Sequence, residues 1–294
     1  MKSIVKFPLS HFEEIAPVLL QCFPEFWTAR FAKNERSFPY DLKLYASKEG
    51  REIVGTVGMH DYQPLIPKGT DGFWVAPVIG LSDLGVLPAY RGQGRAGAMQ
   101  EFVKQYVIRN QIIPVIPLYT DKPAVYRSRG WREYLPDNSR EIHTEDFPLR
   151  DAFRIDTLKI GHDLACGKRE IPANNDERIF RTILCIYASG ANFPGKVMRS
   201  PKTWMELFGD PAYQWRLEDD TYFLYCDGRL VEAYSSNHAH PVNHFTPVNG
   251  GYNDNKVMVN LLDHKLPVPL EEPYASLQAC LKNRSLQFPI ADIF

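Results

Sequence analysis

The sequence predicts an α/β protein of the α+β kind: a mixed central sheet flanked by helices, followed by a second, degenerate domain of similar build. Three observations predict it. Leu84–Val107 reads as a strand, a tight glycine loop and an amphipathic helix. Period-two apolar segments and helical stripes succeed one another over the first half of the chain. In the second half, Gly228-Arg229-Leu230-Val231-Glu232-Ala233 echoes Gly50-Arg51-Glu52-Ile53-Val54-Gly55, each in a strand–turn–strand setting. With 294 residues there is room for two domains. They are placed at 1–145 and 146–294.

Taken in order, Ser10-His11-Phe12-Glu13 reads as a capping box, with Ser10 accepting from the N–H of Glu13. Phe12, Ile15, Ala16, Leu19 and Leu20 then form a helical stripe that ends before Pro24. The aromatic stretch after it holds Phe26, Trp27 and Phe31, which are core residues by default and candidates for one wall of a substrate pocket. Leu42–Ser47 and Glu52–Met59 read as strands joined around Lys48-Glu49-Gly50, and Val75–Val86 continues the sheet past Pro77. After the loop helix, Ile112–Tyr119 is a short buried strand whose prolines suit a splayed or edge position. Asp121 is placed to cap a short helix carrying Tyr126, which stops at a left-handed Gly130 before a strand from Trp131. Further on come a helix bearing Phe180, Ile183, Leu184 and Tyr187, and another with Trp204 and Leu207 inward. An Asp227-Gly228 hairpin follows.

Chemistry concentrates in the glycine loop. Gly92, Gly94 and Gly97 let the backbone turn sharply and leave its N–H groups uncovered. The helix behind them presents Met99, Phe102, Val103, Tyr106 and Val107 on one face and Gln100, Glu101, Lys104 and Gln105 on the other. Its first N–H groups have no internal partner and sit at the positive end of the dipole, where phosphate binds. No Gly-Lys-Ser/Thr follows, which excludes a P-loop, and Gln111 stands where a dinucleotide site wants an acid.

The run Val86-x-Pro88-x-Tyr90-Arg91-Gly92-x-Gly94-x-Ala96-Gly97 resembles the acyl-CoA loop of the GNAT (Gcn5-related) N-acetyltransferases, with Arg91, Gly94 and Ala96 in the slots of Arg/Gln-x-x-Gly-x-Gly/Ala. Tyr126-Arg127-Ser128-Arg129-Gly130-Trp131 is similar to that family's Tyr-x-x-x-Gly-Phe/Tyr element. An intact first copy before a second half with no such loop resembles the tandem enhanced intracellular survival family, without its full C-terminal domain.

The resemblance implies the GNAT fold, with the sheet opening near Ile112–Tyr119, and acetyl-CoA as co-substrate. It implies a pyrophosphate held by Arg91, Gly92, Gln93, Gly94, Arg95, Ala96 and Gly97, and a pantetheine arm beside Leu84, Gly85 and Val86. Tyr126 becomes the general acid for the departing thiolate, and the terminal carboxylate of Phe294 a candidate general base. A solvated carboxylate (~3.5) facing an amine (~10.4) leaves a gap of about 7 units, or ~9 kcal/mol, so that base needs burial. Asp83 and His60 are fallback bases. The implied reaction is N-acetyl transfer to a primary amine, on a small molecule or a lysine. The alternatives are a non-catalytic acyl-CoA sensor or interaction module and a tandem-GNAT aminoacyl transferase.

Composition bounds the partners. A net charge of −1 and the lack of a basic run argue against nucleic acid and membrane surfaces. Homo-oligomerisation is left open. Five scattered cysteines form no Cys-x-x-Cys pair, and the N-terminal apolar run is too short for a signal peptide, so a cytoplasmic location is expected. His238, His240 and His244 raise the question of zinc, but Pro241 breaks any helix there and no Cys completes a set, so no metal is expected.

Overall fold

A computed structural model describes residues 2–8, 11–24, 27–28, 42–68, 72–75, 77–134, 140–142, 149, 151–154, 175–189, 196–199, 201–210, 213–226, 228–237, 245–247, 256–263 and 266–284. The chain divides into two compact units: Met1–Tyr134, Asn255–Ala279 and Ile293–Phe294 in the first, and Leu135–Asp254 with Cys280–Asp292 in the second.

In the first unit, β1 (Lys2–Lys6), β2 (Leu42–Glu49), β3 (Glu52–Tyr62) and β6 (Val78–Val86) form one antiparallel sheet in that spatial order. Two short strands, β4 (Leu65–Pro67) and β5 (Phe73–Val75), pair with each other. The pleat sorts the side chains of the main sheet. Leu42, Leu44 and Ala46 face Phe12, Ile15 and Leu19 of α1 (Phe12–Cys22), whereas Tyr45, Val57, Met59, Ile79 and Leu81 pack with Met99, Val103 and Val107 of α2 (Arg95–Arg109). Helix, sheet and helix thus enclose two cores. α1 starts one residue later than the expected box: His11 is the N-cap without a side-chain bond, and Ser10 lies outside the described residues.

A second antiparallel sheet runs β7 (Val115–Thr120), β14 (Lys256–Leu261), β8 (Trp131–Glu133). β6 and β7 are neighbours, yet no ladder joins them. The sheet therefore opens between β6 and β7, where the sequence reading placed the splay. Its middle strand comes from far downstream in the chain. Between β7 and β8 lies α3 (Ala124–Arg127), a single turn whose N-cap is Pro123, not Asp121 as expected. Asp121 pairs instead with Lys122 at 3.4 Å.

The second unit holds α4 (Asn175–Ser189), α5 (Pro201–Gly209), the antiparallel sheet β10 (Tyr213–Glu218), β11 (Thr221–Cys226), β12 (Arg229–Ser235), and a parallel pair β9 (Arg140–Ile142) with β13 (Phe245–Pro247). Its core is aromatic: Phe180, Tyr187, Trp204, Phe208, Trp215, Tyr222 and Tyr234, with Phe208 and Trp215 stacked at 4.4 Å. α6 (Val268–Lys282) follows β14. Among the described residues, no helix is long and apolar enough to cross a membrane.

Candidate active site

The site is built where β6 ends. Opposite Val57 the β3–β6 register shifts, so that Gly58 pairs with Ser82 but Thr56 pairs with Gly85. Two residues, Asp83 and Leu84, thus face one, which is a β-bulge. Asp83 takes φ 45°, unusual for a non-glycine residue. Three hydrogen bonds hold it there. Thr56 Oγ1 donates to its carbonyl at 2.8 Å, Ser82 Oγ to Oδ2 at 2.9 Å, and Trp27 Nε1 to Oδ1 at 3.2 Å. Gly58 is needed beneath it, since a Cβ there would lie 2.4 Å from Ser82 Oγ and 3.0 Å from Asp83 Oδ2. Past the bulge, Gly85 and Val86 pair with β3 on one edge, and the other edge faces the opening towards β7.

The chain then passes through a 3₁₀ turn, Pro88–Tyr90, into the glycine loop. Arg91 folds back, its Nε donating to the Val86 carbonyl at 2.9 Å, so its side chain braces the loop. Gly94 is the N-cap of α2 in the left-handed conformation, φ 76°. A Cβ at Gly92 or Gly94 would meet nothing within 4 Å, so the space over the loop is open. The N–H of Ala98 donates to the Gly94 carbonyl, leaving the N–H groups of Arg95, Ala96 and Gly97 ahead of the first intrahelical bond. Loop, dipole and free strand edge meet at one place. This arrangement fits a phosphate followed by an extended chain.

Tyr126 is buried in α3, its ring edge-on to Trp131 at 5.8 Å. Burial, joined by the carboxylates of Asp121 and Asp83, holds its phenol well above the ordinary range, against a hydrogen bond with Thr120. The phenol therefore keeps its proton. Behind it, the Arg129 carbonyl accepts from Lys104 Nζ at 2.7 Å and from Asn260 Nδ2 at 3.1 Å, which ties the turn to both α2 and β14. Gly130 takes φ 88°, as its helix-ending place requires.

Other expected residues fall as follows. Trp27 is in the core, 1% exposed, and reaches the site through the N–H it gives Asp83. Both oxygens of Asp83 are already engaged. His60 is buried in β3, stacked at 6.0 Å on Tyr62. Phe26, Phe31, Phe294, His238, His240 and His244 lie outside the described residues. Among the described residues, no group of His, Cys, Asp or Glu is placed to hold a metal ion.

Three features escaped the sequence reading. Gln100, assigned to the polar face of α2, is 1% exposed. Arg95, whose backbone N–H serves the loop, turns its side chain inward and is 3% exposed. Asn260 follows the short apolar run Val257-Met258-Val259, the type of run that marks a buried strand.

Residues 12–131 match the family model described as Acetyltransferase (GNAT) family. Curated protein sequences gave no match. Among solved structures, the chain is similar to a GCN5-related N-acetyltransferase from Kribbella flavida, with 14% identity, 90% of this chain and 71% of that one covered, and a TM-score of 0.51. It is similar to Eis1 from Mycobacterium abscessus, with 15% identity, 89% and 73% covered, and a TM-score of 0.51. A conserved protein of Enterococcus faecalis matches at 15% identity and a TM-score of 0.50 over 79% of this chain, which spans only 54% of that one. At these identities the likeness is one of fold, and it reaches into the second unit.

Proposed function

We propose that residues 12–131, which match the GNAT acetyltransferase family model, are a domain of that superfamily, and that the chain transfers an acetyl group from acetyl-CoA to a primary amine. One observation carries the reading: a bulged strand with an open edge runs straight into a left-handed glycine loop and an uncapped helix start. Acetyl-CoA, when bound, supplies an activated acyl thioester; the rest falls to the chain. Backbone N–H groups from Gly92 to Gly97 hold the pyrophosphate, and the edge of Leu84–Val86 aligns the pantetheine arm. Tyr126 presents a protonated phenol towards the departing sulfur. Because burial raises the phenol, it acts chiefly as a hydrogen-bond donor, and full proton transfer costs more than the ~1.5 units that separate an ordinary tyrosine from a thiol. Accepting the amine's proton falls to a group other than Asp83, whose carboxylate is occupied in holding the bulge.

The deciding experiment is calorimetric titration of acetyl-CoA into wild type and Gly94→Glu. The substitution forces a side chain into the left-handed region, at about 1–2 kcal/mol, and puts a negative charge where the pyrophosphate would lie. Binding by wild type and its loss in the variant is the expected result. No binding by wild type would remove the proposal, and binding without thiol release on any amine would turn it into that of an acyl-CoA sensor.

A further inference from the structure

Arg95 is an odd occupant of its position. As the first residue of α2 it stands at the positive end of the helix dipole, where a cation is disfavoured, and its side chain is buried. Among the described residues, one terminal nitrogen meets a carboxylate, that of Glu49, and Nε and Nη1 are buried with no acceptor. The guanidinium also lies 5.2 Å from the centre of the Tyr90 ring. Taking such a charge out of water costs more than a single partly exposed carboxylate returns, and an apolar side chain of similar length would suit the place better for stability alone.

Its partner shows what the charge does. Glu49 ends β2 and Glu52 begins β3, with only Gly50-Arg51 between them. Glu49 holds Arg95, after the glycines, and Glu52 accepts from Tyr90 Oη at 2.6 Å, before them. One tight hairpin turn therefore grips both ends of residues 91–94. We propose that Glu49 and Arg95, with Glu52 and Tyr90, are positioning residues that fix the loop's N–H groups for the CoA pyrophosphate. The inference rests on the acyl-CoA reading and adds to it the residues that set the geometry of the loop. A glycine loop is free to collapse onto its own open space, and the hairpin removes that freedom before ligand arrives.

The test is a double-mutant cycle of wild type, Glu49→Gln, Arg95→Met and the pair, each titrated with CoA by calorimetry and melted by circular dichroism. Each single variant is expected to bind CoA about tenfold more weakly, and the pair no more weakly than the worse single. Arg95→Met is expected to melt at or above the wild-type temperature. Wild-type affinity in both single variants, or a lowered melting temperature with affinity unchanged, would overturn the positioning role and leave the acyl-CoA reading standing. Should wild type itself not bind CoA, both fall. Glu49→Gln, on the exposed side of the pair, keeps the test sharp even if Arg95→Met misfolds.

Discussion

Tyr126 and Lys196 are two buried titrating groups, and burial drives them in opposite directions. For Tyr126 the neutral form is favoured, so it stays protonated as pH rises through ~10, the ordinary tyrosine value. If it serves the sulfur, turnover should show no alkaline limb from this group at or below that pH. Tyr126→Phe should lower kcat by roughly 10²-fold or more with acetyl-CoA affinity kept, as read by thiol release and calorimetry. An unchanged kcat would make the residue structural. Lys196, in the second unit, is 1% exposed; it donates to the Tyr187 carbonyl at 2.6 Å and lies 4.7 Å from that residue's ring centre. Burial pushes its ammonium down to about 8 from 10.5, with Glu232 pulling it up and Arg199 pushing further down. The unfolded chain then holds this proton more tightly between pH 8 and 10.5, so this group makes folding more favourable as pH rises through that window. A gap of ~2.5 units is worth roughly 3 kcal/mol at its limit. Lys196→Met should flatten the rise, seen in denaturant melts followed by tryptophan fluorescence at pH 7 and pH 10.

At the scale of elements, the bulge depends on Thr56, which is fully buried and donates a side-chain hydrogen bond from β3 to the Asp83 carbonyl. Thr56→Val keeps the shape and removes the donor. A loss of about 1–3 kcal/mol in chemical denaturation is expected, with weaker acetyl-CoA binding as the strand edge relaxes. The same scale explains what could be read from sequence and what could not. The strand, the glycine loop and the helix behind it are encoded by neighbours, in positive-φ residues and a 3.6-residue stripe, and they appear in the structure as read. The inward turn of Arg95 and Gln100 breaks the rule that polar residues face out. What licenses it for Arg95 is a carboxylate 46 positions away. Trp27 was read as core or pocket wall, and only the three-dimensional bulge gives its N–H a partner in Asp83. Long-range pairing leaves no local trace.

For the whole molecule, the division of the chain departs from simple succession. β14 supplies the middle strand between β7 and β8, and Met258 and Leu262 belong to the same core as Met99, Val103 and Tyr126. A fragment of residues 1–145 would hold the glycine loop and Tyr126 yet lack that strand. It is expected to melt without a cooperative transition and to bind no acetyl-CoA, in contrast to the full chain.

The late return of β14 also sets a schedule for the nascent chain. Roughly 120 residues separate the end of β8 from β14, and at about 5–20 residues per second their synthesis occupies on the order of ten seconds. Throughout that interval β7 and β8 stand with their inner edges unpaired, which is an invitation to neighbouring chains on a crowded polysome. The ribosome must deliver the second unit before the first can close, so a pause or a chaperone acting between residues 134 and 256 would govern the yield of a unit whose glycine loop lies far upstream.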